Sequence, residues 1–334
     1  MMVRRLAGLL GAVTALGIGA CSAGGAESPT AHGRMRVVTT VAPITSIVAN
    51  VVGDAADVTG VVPEGTNSHT FEPAPSVAKV LSTADVIFVN GLKLEDPTRE
   101  LAAKNKRRST RIVELADAVL PKGDEIYDFS FPRSEGKPNP HLWTDPLYAK
   151  RYAEVVKETM VSVDAAHAST YERNYAAFAQ QVDGFDAAMR TAFATLPPEQ
   201  RKLLTYHDAY AYFAKDYGWT VVGAIQIERF AEPSAKEVAA LIDQVKHENV
   251  KAIFGSEVFP SPVLEQIGKE AGVTYVDVLR DDDLPGEPGE DQHSWLGLMH
   301  FDYVTMVGAL GGDISALRGV EVRNAVPDRA VYPQ

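Results

Sequence analysis

The stretch Asn139-Pro140-His141-Leu142-Trp143-Thr144-Asp145-Pro146 places a histidine on a proline-flanked loop directly before the start of a helix. Asp145 is a favourable N-cap residue and Pro146 suits the first helical position, so the stretch predicts that a helix begins here. His141 should therefore be held on a stiff loop beside a helix N-terminus. A histidine that is fixed in this way is a candidate ligand.

Before this stretch, short runs rich in β-branched residues alternate with helical patterns, an order typical of a parallel sheet covered by helices. The predicted strands are residues 36–41, 58–62, 85–90 and 111–114, and the predicted helices are approximately residues 44–52, 75–83 and 96–106. Residues 121–138 lack periodicity and are rich in charge, Gly and Pro, which predicts a surface loop leading to His141. We therefore predict an N-terminal α/β lobe at residues 35–163.

A second helical pattern follows, in which aromatic and aliphatic residues recur three or four positions apart from Tyr171 to Leu196. Asp164 can cap it. Counted from residue 165, roughly 30 residues at about 1.5 Å each reach on the order of 45 Å, the width of two small lobes. We predict that residues 164–196 form one long, rigid connecting helix.

The α/β alternation then resumes in residues 197–318, the predicted C-terminal lobe. Its predicted strands are residues 202–206, 220–224, 252–256 and 274–279, and its last helix spans residues 294–310. Ser234 and Glu237 have the spacing of a capping box, which marks one helix start. Residues 319–334 have the composition of an irregular tail. The predicted fold class is α/β, with two parallel-sheet lobes joined by one long rigid helix.

The N-terminus has the layout of a secretory signal at residues 1–20: Arg4 and Arg5, an apolar run, then small residues. The apolar run is too short to span a membrane. The sequence Ile18-Gly19-Ala20-Cys21 resembles the lipobox of bacterial lipoproteins, which implies lipidation at Cys21. Residues 21–34 are small, polar and Gly-rich, typical of a flexible tether. Since Cys21 is the only cysteine, no intramolecular disulfide can form.

Length and charge narrow the function. A chain of 334 residues with 46% hydrophobic composition can bury a sizeable core. The formal net charge of −12, without a basic stripe, argues against a nucleic-acid partner. The sequence contains neither a His-Glu-x-x-His metalloprotease motif nor a Walker P-loop, so any ATPase would be another subunit.

Three groups of polar residues follow predicted strands and are candidates to meet His141. His69 lies beyond the second strand, His207 follows residues 202–206, and the acidic residues 281–283 follow the last strand. Open α/β sheets place ligand groups at the carboxyl ends of their strands, so these groups should converge in a crevice between the lobes. Imidazoles with one carboxylate suit a borderline divalent metal. The affinity of such a site for the metal should fall below about pH 6 as the imidazoles protonate.

The remaining candidates have local interpretations. Glu257 follows a predicted strand and is a rival or supporting carboxylate. His167 and His247 lie in helical patterns and should be exposed, while His32 lies in the tether. The remaining two, His293 and His300, are interpreted as surface or cap residues of the last helix.

Taken together, four motifs resemble those of the metal-binding lipoproteins of zinc and manganese ABC importers, the cluster A-I or cluster 9 family. The resemblance covers nearly the whole mature chain. The motifs are Ser68-His69-Thr70-Phe71-Glu72-Pro73, Asn139-Pro140-His141-Leu142-Trp143 with Asp145-Pro146, His207-Asp208-Ala209-Tyr210, and residues 279–284. The family fold of two α/β lobes joined by a rigid helix agrees with the pattern above.

The resemblance implies a metal site formed by His69, His141, His207 and Asp282, with Asp281 and Asp283 as rivals for the last position. Manganese-type members often carry a glutamate where His207 stands, so Zn²⁺ is the expected transported ligand and Mn²⁺ the alternative. Four protein ligands would close a tetrahedral shell, which suits capture and delivery rather than catalysis. The chain is therefore expected to be no enzyme.

The same resemblance implies a location and partners. The protein would be a monomer, anchored by its N-terminal lipid to the outer face of the cytoplasmic membrane, and would serve the permease and ATPase subunits of an ABC importer. Three alternatives stay open: a manganese-preferring protein of this family, a binding protein for a chelated metal or organic ligand, and a zinc-dependent hydrolase. The hydrolase would require that water, rather than Asp282, fills the fourth position.

Overall fold

Two four-stranded parallel sheets form the framework of the computed structural model, which describes residues 34–225, 233–256, 261–324 and 329–331. The first sheet has the order β2-β1-β3-β4. Its strands are β1 (Met35–Thr39), β2 (Ala56–Gly60), β3 (Val86–Val89) and β4 (Arg111–Glu114), and its helices are α1 (Ala42–Val52), α2 (Pro75–Thr83), α3 (Asp96–Asn105) and the short α4 (Leu115–Val119).

Two long helices then connect this sheet to the second one. Helix α5 spans Pro146–Val163 and helix α6 spans Ala168–Phe193. The predicted start of α5 is confirmed, because Pro146 is its first residue and Asp145 Oδ1 accepts a hydrogen bond from the Leu147 N–H at 2.8 Å. This cap holds the segment that carries His141 against the first turn of α5.

Helix α6 corresponds to the connecting helix predicted at residues 164–196, but it begins later and ends earlier than predicted. A 3₁₀ turn covers Ala165–His167, and the Asp164 side chain does not cap the helix. Its Oδ2 accepts from the Tyr171 hydroxyl at 2.6 Å and lies 2.7 Å from His167 Nδ1. The carboxylate therefore bonds to side chains within the first turns rather than to free backbone N–H groups, so Asp164 was wrongly predicted as the cap.

The second sheet repeats the topology of the first, with the order β6-β5-β7-β8 and parallel pairing throughout. Its strands are β5 (Lys202–Thr205), β6 (Thr220–Ala224), β7 (Ala252–Ser256) and β8 (Thr274–Leu279), and its helices are α7 (Ala211–Tyr217), α8 (Ala235–His247) and α9 (Pro262–Ala271). The predicted capping box at Ser234 and Glu237 is confirmed. The predicted fold class, α/β with two parallel sheets, is confirmed as well.

The chain ends with α10 (Trp295–Ala309), which Ser294 caps, and the short α11 (Ser315–Arg318). Beyond them, Val331 pairs with the edge strand β2, since its N–H donates to Val58 O and its carbonyl accepts from the Gly60 N–H, both at 3.0 Å. Part of the predicted irregular tail thus extends the first sheet.

A continuous hydrophobic core joins the two halves. It contains buried residues of β1, β3, β5 and β7 together with α1, α5, α6 and α10, and two smaller clusters lie under α2–α3 and α8–α9. At the C-terminal end of α6, the Phe193 ring lies 5.6 Å from Phe213, 5.1 Å from Trp219 and 5.9 Å from Tyr303, measured between ring centroids. The long helix is therefore packed into the core that both sheets share.

Several predictions fall wholly or partly outside the described residues. They are the signal at residues 1–20, Cys21, the tether at residues 21–34 apart from Arg34, Glu257, and residues 325–328 and 332–334 of the tail. The predicted lobe boundaries at residues 163–164 and 196–197 stay predictions. Within the described ranges, no helix combines the length and the apolar character needed to cross a membrane.

Candidate metal centre

The three histidines predicted as ligands meet where the strands of both sheets end. His69 lies on the loop after β2, His141 follows the loop after α4, and His207 comes two residues after β5. Because parallel strands all direct their carboxyl ends to one edge, side chains far apart in sequence converge there. The predicted convergence of these three residues is therefore present in the structure.

Their ring nitrogens point at one another. His69 Nε2 lies 3.2 Å from His141 Nε2 and 3.0 Å from His207 Nε2. A zinc ion with Zn–N bonds of about 2.0–2.1 Å in tetrahedral geometry separates its nitrogen ligands by roughly 3.3–3.4 Å. The two distances from His69 are thus close to those between ligands of a single ion. Among the described residues, these three form the one group whose potential ligand atoms all lie within 4.8 Å of one another.

Asn139 fixes the tautomer of His141. The Asn139 amide nitrogen donates to Asp128 Oδ2 at 3.1 Å and to the Asp208 carbonyl at 2.9 Å, which makes its oxygen the acceptor. That oxygen accepts from the His141 backbone N–H at 3.1 Å and lies 2.8 Å from His141 Nδ1. Nδ1 must therefore carry the proton, so that Nε2 presents a lone pair to the site.

A carboxylate holds His207 in the same tautomer as His141. Its Nδ1 lies 2.7 Å from Asp281 Oδ2, and both side chains are buried. The His207 carbonyl accepts from the Thr205 hydroxyl at 2.6 Å, which fixes the turn directly after β5. An ionised carboxylate can only accept, so the proton again sits on Nδ1 and Nε2 faces the other imidazoles.

His69 is partly buried and closes the group from the side of the first sheet. Asn67 Oδ1 accepts from the His69 backbone N–H at 3.0 Å, a local turn that shapes the loop. The His69 ring packs at 5.4 Å, between centroids, against the buried Phe131. Residues 121–138, predicted to be a surface loop, therefore contribute an apolar side chain to the wall of the site.

The protonation behaviour of the three imidazoles differs. Burial, followed by the charge of neighbouring His207, lowers the pKa of His69 and of His141 well below the ordinary value. Burial also acts to lower the pKa of His207, but the carboxylates of Asp281, Asp282 and Asp208 together outweigh it, and that pKa is raised. Two imidazoles are consequently neutral and ready to bind a cation at neutral pH.

The structure separates the roles of the three consecutive aspartates. Asp281 binds His207 Nδ1, as described above. Asp283 accepts from the Gly65 N–H with both carboxylate oxygens, at 2.9 and 2.8 Å. The two rivals of Asp282 for the position of fourth ligand are thus engaged elsewhere.

Asp282 itself is buried, and its Oδ1 has no hydrogen-bond partner within the described part of the chain. Burial and then the charge of Asp281 raise its pKa to about 7, while His207 and the Ser68 hydroxyl act in the opposite direction. Asp282 is not part of the group of residues whose ligand atoms all lie within 4.8 Å of one another. The buried, unsatisfied oxygen has the chemistry of a fourth ligand, and its assignment stays a prediction.

A cavity of about 240 Å³ opens beside His69. Its apolar lining includes Leu92 and Phe131, and Lys93 and Lys137 line it as well. A larger cavity of about 740 Å³ lies against α10 and contains none of the predicted ligands. The smaller cavity therefore reaches the histidine cluster on its His69 side.

Two sequence interpretations require correction or addition. His293, interpreted as a surface or cap residue, is 2% exposed and lies 3.9 Å from Glu64 Oε2 through its Nε2. That Asn139 is the hydrogen-bond partner of His141 was not predicted. Asn139 stands two residues before His141, a spacing at which an Asn side chain can accept from the backbone N–H. Asp281 was considered only as a rival ligand, because three adjacent aspartates carry no signal that distinguishes them.

Comparisons with known proteins bear on the same region. The family model described as zinc-uptake complex component A, periplasmic, matches residues 37–309. The chain is 32% identical over 256 residues to the iron-binding protein YfeA of Yersinia pestis, covering 77% of this chain and 80% of that protein. It is 24% identical over 302 residues to the manganese ABC transporter substrate-binding lipoprotein PsaA of Streptococcus pneumoniae, covering 90% and 97% respectively.

Among solved structures, the periplasmic zinc-binding protein TroA of Treponema pallidum superposes with a TM-score of 0.74 at 26% identity, covering 83% of this chain and 99% of that one. The Mn-bound periplasmic metal-binding protein from Candidatus Liberibacter asiaticus gives a TM-score of 0.72 at 24% identity, covering 83% and 100%. The second likeness concerns the fold alone.

Proposed function

Because this chain belongs to the family of the periplasmic zinc-uptake complex component A, we propose that it captures Zn²⁺ outside the cytoplasm and delivers it to an ABC importer. The observation that carries the proposal is the convergence of the Nε2 atoms of His141 and His207 on that of His69, at 3.2 and 3.0 Å. Three nitrogen donors at this spacing have few uses other than holding one cation.

The proposed fourth ligand is Asp282. Its buried Oδ1 lacks a hydrogen-bond partner among the described residues, and metal binding would satisfy this oxygen. One carboxylate with three imidazoles gives a closed tetrahedral set without an open position for water. Such a set supports binding and release of the ion rather than hydrolysis, which is why we propose a transport function.

Zinc is proposed over manganese on the basis of the donor atoms. Imidazole nitrogen suits Zn²⁺, whereas Mn²⁺ prefers oxygen ligands. The names of the relatives divide among iron, manganese and zinc, so manganese is the second candidate. Competition between the ions on this chain is therefore the decisive measurement.

The partners and the location follow from the same proposal. The protein would pass its ion to the permease of an importer that is driven by a separate ATPase subunit, and lipid on Cys21 would keep it at the membrane surface as a monomer. The Cys21→Ser variant should move from the detergent phase to the aqueous phase in a partition assay. If it stays in the detergent phase, the proposed anchor is wrong.

The metal site is tested by native mass spectrometry of metal-stripped protein offered equimolar Zn²⁺, Mn²⁺, Fe²⁺ and Cu²⁺, together with calorimetry of zinc binding. We expect one zinc ion per chain in the parent and a loss of binding in His141→Ala. His247→Ala is the matched control, because the His247 side chain is 86% exposed on α8. Equal zinc affinity in His141→Ala and the parent would refute the site, and retention of manganese in preference to zinc would favour the second candidate.

A further inference from the structure

The ring nitrogens that point away from the histidine cluster have different partners. His141 Nδ1 lies 2.8 Å from the amide oxygen of Asn139, a neutral group. His207 Nδ1 lies 2.7 Å from a carboxylate oxygen of Asp281, and the two side chains are only 4% and 5% exposed. Because water screens this pair little, the charge of Asp281 acts strongly on His207.

The backbone around Asp281 is held at three points. The Trp143 indole N–H donates to the Asp281 carbonyl at 2.9 Å. One residue earlier, the Arg280 N–H donates to Asp302 at 3.0 Å, and the Arg280 carbonyl accepts from the Tyr210 hydroxyl at 3.0 Å. Trp143 and Asp302 are fully buried. The Asp281 carboxylate is therefore preorganised before any ion binds.

Charge balance gives this carboxylate a further role. A divalent ion that enters among three neutral imidazoles and one ligand carboxylate leaves a net positive charge in a buried place. Buried charge is costly unless it is paired. A second carboxylate at Asp281, one imidazole away from the ion, would complete the neutralisation without becoming a ligand.

On the premise that the chain binds a divalent metal as proposed above, we propose that Asp281 is a positioning and specificity-determining residue, which holds His207 for the ion and biases the site toward Zn²⁺ over Mn²⁺. A carboxylate that accepts from a metal-bound imidazole fixes the ring and raises its basicity as a ligand. A more basic nitrogen benefits Zn²⁺ more than Mn²⁺, since Zn²⁺ binds nitrogen ligands more strongly.

Two variants of Asp281 separate charge from orientation. Asp281→Asn keeps an oxygen that can accept from His207 Nδ1 but removes the charge, so that His207 resembles His141 with its amide partner. Asp281→Ala removes both the acceptor oxygen and the charge. The matched control is Asp277→Asn, which makes the same charge change at an exposed position of β8, the strand that precedes Asp281.

Zinc and manganese dissociation constants are measured for metal-stripped parent and variants by competition with chelators, alongside thermal unfolding of the metal-free proteins. We expect zinc affinity to fall several-fold in Asp281→Asn and roughly 10- to 100-fold in Asp281→Ala, the range typical of lost support for a metal-bound histidine. The preference for zinc over manganese should fall in Asp281→Asn, which a merely structural role would not cause. The Co²⁺ absorption spectrum should also shift in both variants but not in Asp277→Asn.

The inference is wrong if both Asp281 variants keep the parental zinc affinity and the parental ratio of zinc to manganese affinity. It is also wrong if both affinities fall equally in Asp281→Asn in step with a lower unfolding temperature, because that pattern describes a structural role. Failure of the proposed function is distinct from either result, since the parent itself would then bind no zinc.

Discussion

Asp283 accepts hydrogen bonds from the Gly65 N–H with both carboxylate oxygens, at 2.9 and 2.8 Å, and this contact ties the loop of His69 to the loop of Asp282. A second contact runs in the opposite direction, from the Leu284 N–H to Glu64 Oε1 at 2.9 Å. The loops that follow β2 and β8 belong to different sheets. The contacts therefore hold together two halves of the proposed metal site.

Asp283→Ala should accelerate the release of bound zinc. The variant loses charged hydrogen bonds worth about 1.5 kcal/mol or more, which corresponds to roughly tenfold in the dissociation rate if they are formed in the closed site and lost on opening. Stopped-flow mixing of zinc-loaded protein with a chelator measures this rate. Glu265→Gln, an exposed substitution on α9, is the control, and an unchanged rate in Asp283→Ala would show that the contact does not limit opening.

Acid should weaken zinc binding, beginning near neutral pH. Burial keeps His69 and His141 neutral, so the protons that compete with the ion are held on His207, whose pKa Asp281 raises, and on Asp282, whose pKa is about 7. Affinity is complete above these raised pKa values and falls as the pH falls through them. If only imidazoles with ordinary pKa values competed with the ion, the loss of zinc affinity would be delayed to about pH 6.

Proton release measures this linkage directly. Near pH 6, binding of one zinc ion should release about two protons, and Asp282→Asn should lower that number by about one. Calorimetry in two buffers with different ionisation enthalpies yields the number. Constant affinity between pH 8 and pH 6 would contradict the assignment of the competing protons.

The sequence predicted the fold well where one local signal dominated. The strands at residues 111–114, 220–224, 252–256 and 274–279 and the helix at residues 75–83 have the predicted bounds. Alternation of β-rich runs with amphipathic helices determines these elements before any tertiary contact is considered. The carboxyl-end rule for parallel sheets indicated that His69 and His207 could meet His141, and the resemblance to the importer lipoproteins selected these three residues as ligands.

What the sequence did not reveal depends on contacts between distant residues. Asp281, Asp282 and Asp283 are identical in type, and only the positions of His207 and Gly65 give them different roles. His293 looks like a helix-cap residue in the sequence but is buried close to Glu64. The start of α6 was misplaced because Asp164 bonds to the side chains of His167 and Tyr171 instead of to the backbone. No periodicity encodes such pairings.

Asn139→Ala should lower both stability and zinc affinity. The substitution leaves His141 Nδ1 without its acceptor and removes the donor to the Asp208 carbonyl, and each buried polar group without a partner costs about 1–3 kcal/mol. Zinc affinity should fall roughly 10- to 100-fold as the His141 ring loses its orientation. Urea unfolding and calorimetry measure the two effects. Asn105→Ala, at an exposed position, should change neither, and parental zinc affinity in Asn139→Ala would exclude the orienting role.

Phe193→Ala should destabilise the whole described fold rather than one half of it. The ring is buried at the end of α6 among Phe213, Trp219 and Tyr303, and loss of such a side chain costs about 3–5 kcal/mol. Because both sheets share this core, circular dichroism and tryptophan fluorescence should report a single transition. Val278→Ala, on a side chain of which 42% is exposed, should shift it little. Two separated transitions would show that the halves unfold independently.

Asp128 should make the metal-free protein less stable as the pH rises. Burial, followed by the negative charge of Asp208, raises the pKa of the Asp128 carboxyl from 3.8 to about 9. Between these values the folded chain holds a proton that the unfolded chain has lost. The contribution of Asp128 to the free energy of unfolding is therefore complete below about pH 4. It decreases by up to ~1.4 kcal/mol per pH unit as the pH rises toward the pKa of Asp128 in the folded protein.

The Asp128→Asn variant tests whether Asp128 makes the protein less stable as the pH rises. The amide can donate to Asp208 and accept from Asn139 in place of the protonated carboxyl, and it does not titrate. The free energy of unfolding of the variant, relative to the parent, should therefore rise by up to ~4 kcal/mol between pH 5 and pH 8. Urea unfolding at several pH values measures it. Asp277→Asn, at an exposed position of β8, is the control for the charge change itself. A difference between Asp128→Asn and the parent that does not change with pH would mean that Asp128 is ionised in the folded protein.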